Sequence, residues 1–295
     1  MQTHTGEFAA LATAALWTIT ALAFEQASKR VGSLAVNLVR LLLALIFFSI
    51  LNLLRGEPIF PQGVSQHSWF WLSISALIGF VFGDYCLFQA YARIGSRIAS
   101  LMMALAPPLA AIFGWIILNE SFSLLNSAGM LLTLLGIILV ILERPHKQIK
   151  ARYNMIGILF GLGGAVGQAI GLVFSKFGMG DLDPFVASQI RVIAGLAGFV
   201  ILFTIFNRWH KLKPVFGSIK SIGFISMGSF FGPFLGVSFS LLSVKHTSTG
   251  IASTIMAIVP VLIIPPAILL LKEKVSFKEI IGACMAVGGV ALFFI

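Results

Sequence analysis

Charge is scarce in this chain. Only 10% of its 295 residues are Asp, Glu, Lys or Arg, whereas 58% are hydrophobic, and the mean hydropathy is +1.01. A soluble domain carries roughly 25% charged residues. This chain has more apolar surface than a soluble fold of its length could hide, so its solvent is lipid. Acidic groups are scarcer still, 10 against 20 basic ones, which leaves a formal charge of +10. In a soluble protein that balance would raise nucleic acid as a partner. Here the basic residues stand in short loops between long apolar runs, where anionic headgroups and membrane orientation account for them, so no nucleic-acid partner is expected. The two cysteines, Cys86 and Cys284, fall inside apolar runs without metal-ligand spacing; they read as small core residues and leave the redox compartment open. The histidines His4, His67, His146, His210 and His246 fall at or near the ends of apolar runs, and no His-Glu-x-x-His, Walker-type loop or nucleophile elbow occurs. These absences argue against an ATP-driven pump and against an intramembrane enzyme, and nothing calls for a metal or cofactor.

What the chain does have is a duplication. Residues 98–120, IASLMMALAPPLAAIFGWIILNE, are written again as IASTIMAIVPVLIIPPAILLLKE at 251–273, an offset of 153 residues. At that offset Ser100 meets Ser253, Pro107 meets Pro260, Glu120 meets Glu273, Ser123 meets Ser276, Gly129 meets Gly282 and Gly136 meets Gly289. Apolar composition alone would not match those residue types, and a repeat governs the reading of the whole fold. Each copy predicts an apolar helix with a proline near its middle, a glutamate at its end, a short serine-bearing turn, and a second apolar helix with Gly-x6-Gly spacing. With small shifts in the loops the match extends to Phe24 with Phe174, Arg40 with Arg191 and Gly79 with Gly232.

Apolar spans of about 20 residues, the length a helix needs to cross hydrocarbon, occur near 7–28, 33–54, 68–92, 98–119 and 124–142. Five more follow near 155–175, 184–206, 218–243, 250–271 and 277–295. The expectation is an all-α integral membrane protein of ten transmembrane helices: a five-helix repeat over 1–143, a polar linker at 144–154 and a second five-helix repeat over 155–295. An odd number of spans per half makes the second copy enter the membrane from the opposite side, giving an inverted repeat about an axis in the membrane plane. Such repeats place a substrate site between the halves near mid-bilayer. The first span has Lys29 and Arg30 after it and no basic run before it, so it reads as a retained anchor. Fifteen Lys and Arg fall in the loops on the linker's side and three (Arg55, Lys176 and Lys245) on the other, which puts the linker in the cytoplasm and both chain ends outside.

The order Ala-Ser, then Pro, then Glu thirteen residues on, then Gly nine further, occurs twice in a ten-span chain with an arginine in the second span of each half. This pattern resembles the EamA-type members of the drug/metabolite transporter superfamily, over essentially the whole chain. The resemblance implies a carrier without bound cofactor, working from a central cavity lined by both halves, in the plasma (cell inner) membrane. Its partners would be a small-molecule substrate and the lipid bilayer, with a monomer as the working oligomeric state. The superfamily includes exporters of amino acids and other metabolites, multidrug exporters and sugar-nucleotide carriers, so the resemblance leaves the substrate open.

Ionisable side chains inside lipid cost about 2.5–3.5 kcal/mol at a helix centre, so each is a candidate for function. Arg40 and Arg191 lie roughly 10 Å along their helices at 1.5 Å per residue. Their planar forks suit a carboxylate or other anion. Snorkelling, or capping of nearby carbonyls to lock each half's second helix, is the plainer reading. It is favoured here because a feature kept in both halves suits the shared scaffold. Asp84 has no counterpart, since Val237 takes its place in the second half. It shares a helical face with Phe88 and Tyr91, with Tyr85 beside them. An acid among aromatics can bind a substrate amine or carry a proton; the structural alternative is a hydrogen bond to a neighbouring helix. Trp17 and Gln168 stand out amid Ala, Gly and Leu as candidates to line the cavity, whereas the glycines between 161 and 171 read as close helix packing. Pro107 and Pro260 are expected to bend their helices and gate the cavity. Glu120 and Glu273 fall at helix ends and are expected to do little, while Ser276 and Glu279 form a capping box for the last helix.

These residues support a secondary carrier that exports small metabolites, amino acids first among them, by alternating access through a central cavity. The alternative is a proton-coupled multidrug or organic-cation exporter, which wants an acid deep in the first span. Ala15 to Thr20, ALWTIT, stand there instead. A non-transporting scaffold is out of keeping with duplicated, proline-broken helices.

Overall fold

The computed structural model describes residues 4–87, 89–90, 93, 102–143, 155–262, 264–265 and 276–294, and every regular element among them is helical. In chain order these are α1 Thr5–Val31, α2 Ser33–Leu54, α3 Gln66–Leu87, α4 Ala106–Leu118 and α5 Leu124–Glu143 in the first half. The second half holds α6 Met155–Met179, α7 Pro184–Ile205, α8 Ile219–His246, α9 Thr249–Leu262 and α10 Phe277–Phe294. Eight of the ten expected spans are long and apolar enough to cross a membrane; α4 and α9 are the shorter apolar pair. Phe88, Tyr91, the linker at 144–154, Ser100 and Glu273 lie outside the described residues.

The packing is that of two copies exchanged. In the first half α1 lies against α8 and α9 of the second, and reciprocally α6 lies against α3 and α4; α2 packs on α7, and α5 on α10. The α5/α10 contact shows why the Gly-x6-Gly spacing is written twice. A Cβ on Gly129 would lie 2.9 Å from the Gly289 carbonyl oxygen, and one on Gly282 would lie 2.8 Å from that of Gly136. Only hydrogen fits between backbones this close. Exchanging the halves turns the first contact into the second, and the residue order along the two helices is antiparallel. At one end of the bundle His4 and Phe8 of α1 meet Phe294 of α10, with ring centroids 5.4 and 5.2 Å apart, so both described chain ends sit together. Leu54, Leu124, Ile205, Ile219 and Phe277 point outward, a surface that only lipid would tolerate at this density.

Two local departures from the α-helix repeat with the sequence. A seven-residue π-helical turn occupies Leu77–Gly83 in α3 and Phe230–Gly236 in α8, positions that coincide at the 153-residue offset. The extra residue in such a turn re-aims the side chains that follow, and these turns concentrate at functional sites. The prolines also act differently from the expected bends. Before Pro107 the chain turns at 104–105 and α4 starts anew with both prolines in its first turn. In α9 the helix stops at Met256, turns at 257–258 and resumes at Val259 with Pro260 second. A proline ring clashes with the carbonyl four residues back and is tolerated in a first turn. The strain is therefore resolved by interruption three residues upstream, identically in both copies. The capping box is present at the start of α10: the Ser276 hydroxyl accepts from the Glu279 N–H, and the Glu279 carboxylate accepts from the Ser276 N–H.

Candidate functional site

Between the halves lies a cavity of about 560 Å³. The helix interruptions and π-helical turns border it: Pro107 and Pro260 line it, as do Phe80 and Pro233, one from each π-helical turn. Most of the wall is apolar, with Ile137, Leu172 and Met256 among the larger side chains. Polar chemistry is confined to a few groups, the pattern expected of a small-molecule site.

The structure places five of the candidate residues on this wall: Trp17, Arg40, Asp84, Gln168 and Arg191. Asp84 is 7% exposed and follows directly after the π-helical turn of α3. One of its oxygens accepts from Arg40 Nη2 in an ion pair, and the other accepts from Gln168 Nε2 at 2.9 Å. That amide also reaches the Gly79 carbonyl at 3.3 Å. The carboxylate thereby joins α2, α3 and α6, two helices of one half and one of the other. Arg191 is 5% exposed and stacks its guanidinium on the Phe80 ring, 4.5 Å from the centroid. Its Nε has no hydrogen-bond partner among the described residues. Neither arginine snorkels or caps a carbonyl among the described residues, so the plainer reading of the pair does not describe how they are held. Gly236 of the second π-helical turn approaches the Trp17 indole so closely that a Cβ there would lie 2.6 Å from Nε1. Tyr85 faces away from the wall, with its ring edge-on to Phe160 at 6.3 Å. Phe88 lies outside the described residues.

Glu120 does far more than close a helix. Its carboxylate accepts from Lys176 Nζ at 2.7 Å, from the Thr249 backbone N–H at 2.9 Å and from the Thr249 hydroxyl at 2.7 Å. Lys176 also donates to the Thr247 carbonyl at 2.7 Å, and the Thr247 hydroxyl donates to Glu7 at 3.0 Å. The ends of α4 and α6 and the starts of α9 and α1 are thus tied where the described chain ends meet. An acid at the N-terminus of α9 is also favourably placed for its helix dipole. Sequence reasoning missed this tie because Lys176 looked like a loop charge. The π-helical turns left a readable trace in the matching Gly79-x3-Gly83 and Gly232-x3-Gly236.

The sequence model of the EamA-like transporter family matches this chain twice, over residues 4–142 and 155–295. The chain belongs to the EamA-like transporter family. It is accordingly a multi-pass membrane protein of a transporter family. A similar protein of Clostridium kluyveri, named an uncharacterized transporter, is 28% identical over 183 residues, covering 60% of this chain and 56% of that one. A second from Archaeoglobus fulgidus, with the same name, is 22% identical over 197 residues and 67% of each chain. A membrane protein of Saccharomyces cerevisiae is 26% identical over 176 residues, 52% of this chain and 42% of its own length. The first and last of these relatives are thus matched over only about half their length. A solved crystal structure shares the fold of this EamA-like chain with a TM-score of 0.78 at 19% identity, over 99% of this chain and 96% of the other.

Proposed function

We propose that this EamA-like transporter is a secondary carrier that exports small metabolites by alternating access through the central cavity, in the plasma (cell inner) membrane. The observation that carries this reading is the cavity itself. It lies between two packed copies, is bordered by the paired helix interruptions, and confines its charged groups to one cluster. The ten-span inverted arrangement is supported by the antiparallel, exchange-related contacts of α5 and α10 and by the meeting of the chain ends. An inverted repeat lets one half rock against the other around a fixed site. The Glu120 tie then holds one end of the bundle together in this conformation, and releasing it is the motion that would open that end.

Carboxylate-bearing metabolites, amino acids among them, are the first substrate class to try. The organic-cation alternative fits this site poorly, because its one described carboxylate is already engaged by Arg40 and Gln168. A metabolite-uptake screen in proteoliposomes, run with and without a pH gradient, tests the proposal. Saturable, counterflow-competent uptake of at least one small metabolite is expected. Flux no greater than in protein-free liposomes across the screen would remove the carrier reading.

A further inference from the structure

We propose that the Arg191 guanidinium seats the anionic group of the substrate, and that the cavity takes a small monocarboxylate with an apolar body in preference to a zwitterion or a cation. This inference rests on the carrier reading above and narrows it.

The two arginines are equivalent in the repeat and unequal in what surrounds them. Arg40 has a carboxylate partner in Asp84. At the place equivalent to Asp84 the second half has Val237, which lines the same cavity. Arg191 therefore has a phenyl ring against one face and an Nε without a hydrogen-bond partner among the described residues, although the Asp84 charge also acts on it. Stacking uses the face of a guanidinium and leaves its in-plane N–H groups unspent. Asp84 is one carboxylate shared between two guanidiniums, and a buried cation without a hydrogen-bonded carboxylate of its own costs several kcal/mol, which a merely structural arginine would avoid by the pairing Arg40 shows. An arriving carboxylate supplies that pairing, and the planar fork matches its two oxygens.

The donor inventory of the wall points the same way. The Thr20, Ser240 and Ser253 hydroxyls donate to the carbonyls of Leu16, Val237 and Gly250, so they remain acceptors. The Gln168 amide is committed to Asp84 and Gly79. An anion needs donors, and Arg191 offers a whole fork. Charge decides between ligand classes. The described lining holds Arg40, Arg191 and Asp84, one positive charge in excess. A monoanion neutralises it, a zwitterion leaves it in place, and a cation doubles it where the dielectric is low and charge is costly. The apolar body would lie against Ile137, Leu172 and Met256. Arg191 stands about 10 Å along α7 from Pro184, at 1.5 Å per residue, so the seat lies toward the end held by the Glu120 tie.

Three probes with the same isobutyl body separate the classes: 4-methylpentanoate, leucine and 3-methylbutylamine, with net charges of −1, 0 and +1. Affinities of the detergent-purified full chain are read from thermal-shift titrations of the wild type, Arg191→Gln, Arg191→Lys and Val237→Asp. The carboxylate is expected to bind tightest. Arg191→Gln should weaken it roughly 30-fold, the loss expected when one partner of a buried charge pair is truncated, and Arg191→Lys should weaken it less. Val237→Asp keeps Arg191 but hands it a resident carboxylate, and should abolish the carboxylate-induced shift. It carries the test if Arg191→Gln does not fold. Leucine or the amine binding as tightly as the carboxylate, no shift with the carboxylate, or an unchanged carboxylate affinity in both Arg191→Gln and Val237→Asp would overturn the inference. Counterflow of the same probes separates this from the carrier reading. Carboxylate binding without flux of any probe keeps the seat and counts against transport, whereas flux of leucine or amine with no carboxylate binding keeps the carrier and removes the seat.

Discussion

In the first half Arg40 meets a carboxylate; in the second, Arg191 meets a phenyl ring and a valine stands where the carboxylate would be. The backbones around them are copied to the residue: π-helical turns at Leu77–Gly83 and Phe230–Gly236, and helix interruptions three residues before Pro107 and Pro260. The comparison teaches how a duplicated chain makes one site rather than two. The shared features shape the cavity, and a few unshared side chains, Asp84 against Val237 and Gln168 against Thr18, give it a direction.

The largest effect expected from erasing that difference is on stability. Asp84→Val would make the first half like the second and leave Arg40 buried without its partner. Breaking a buried ion pair on one side costs about 3–5 kcal/mol, measurable as a fall in the unfolding midpoint in detergent. Adding Arg40→Met should restore most of the loss, because the stranded charge is then gone. No recovery in the double variant would mean that Asp84 acts through packing and not charge.

Next comes the tie at one end of the bundle. Glu120→Gln keeps the shape but removes the charge facing Lys176. It should raise, several-fold, the rate at which a membrane-impermeant thiol reagent applied from the chain-end side labels Ser253→Cys, in a background with Cys86 and Cys284 replaced. An unchanged labelling rate would show that the tie does not govern access.

A smaller and symmetric effect is expected at α5/α10. Gly129→Ala and Gly282→Ala place a methyl against the partner backbone at equivalent contacts, and each should destabilise by about 1–3 kcal/mol. Similar costs would sharpen the exchange symmetry; a large cost at one site alone would break it.

The smallest effect on stability is expected from Pro107→Ala and Pro260→Ala. Each lets its interrupted helix close up, so transport should slow while membrane insertion, read by expression and detergent extraction, is unchanged. Wild-type rates in both would reduce the prolines to packing features.

Much of this was legible in the residues. The repeat offset, the places of the eight long apolar spans and the capping box at Ser276 and Glu279 all follow from matched residue types and periodicity. Arg40, Asp84 and Arg191 stood out because charge in lipid is costly, and Trp17 and Gln168 as large or polar groups amid Ala, Gly and Leu. What could not be read were the partners. Local spacing put Asp84 with Phe88, Tyr85 and Tyr91, but its described hydrogen bonds go to Arg40, 44 residues back, and Gln168, 84 residues on. Tyr85 leaves the cavity because it follows Asp84 by one residue and so points about 100° around the helix from it at 3.6 residues per turn. Glu120 looked like a helix end, and only the folded chain brings Lys176 and Thr249 to it.

The central claim is that the unduplicated carboxylate is part of the transport site. It is tested most directly by counterflow of a carried compound from pH 5.5 to 8.5 in the wild type and in Asp84→Asn, which keeps size and hydrogen bonding but removes the charge. The account predicts that the variant still folds and inserts, transports more slowly, and loses whatever pH dependence this group confers. Coincident rates and profiles in the two proteins would contradict it.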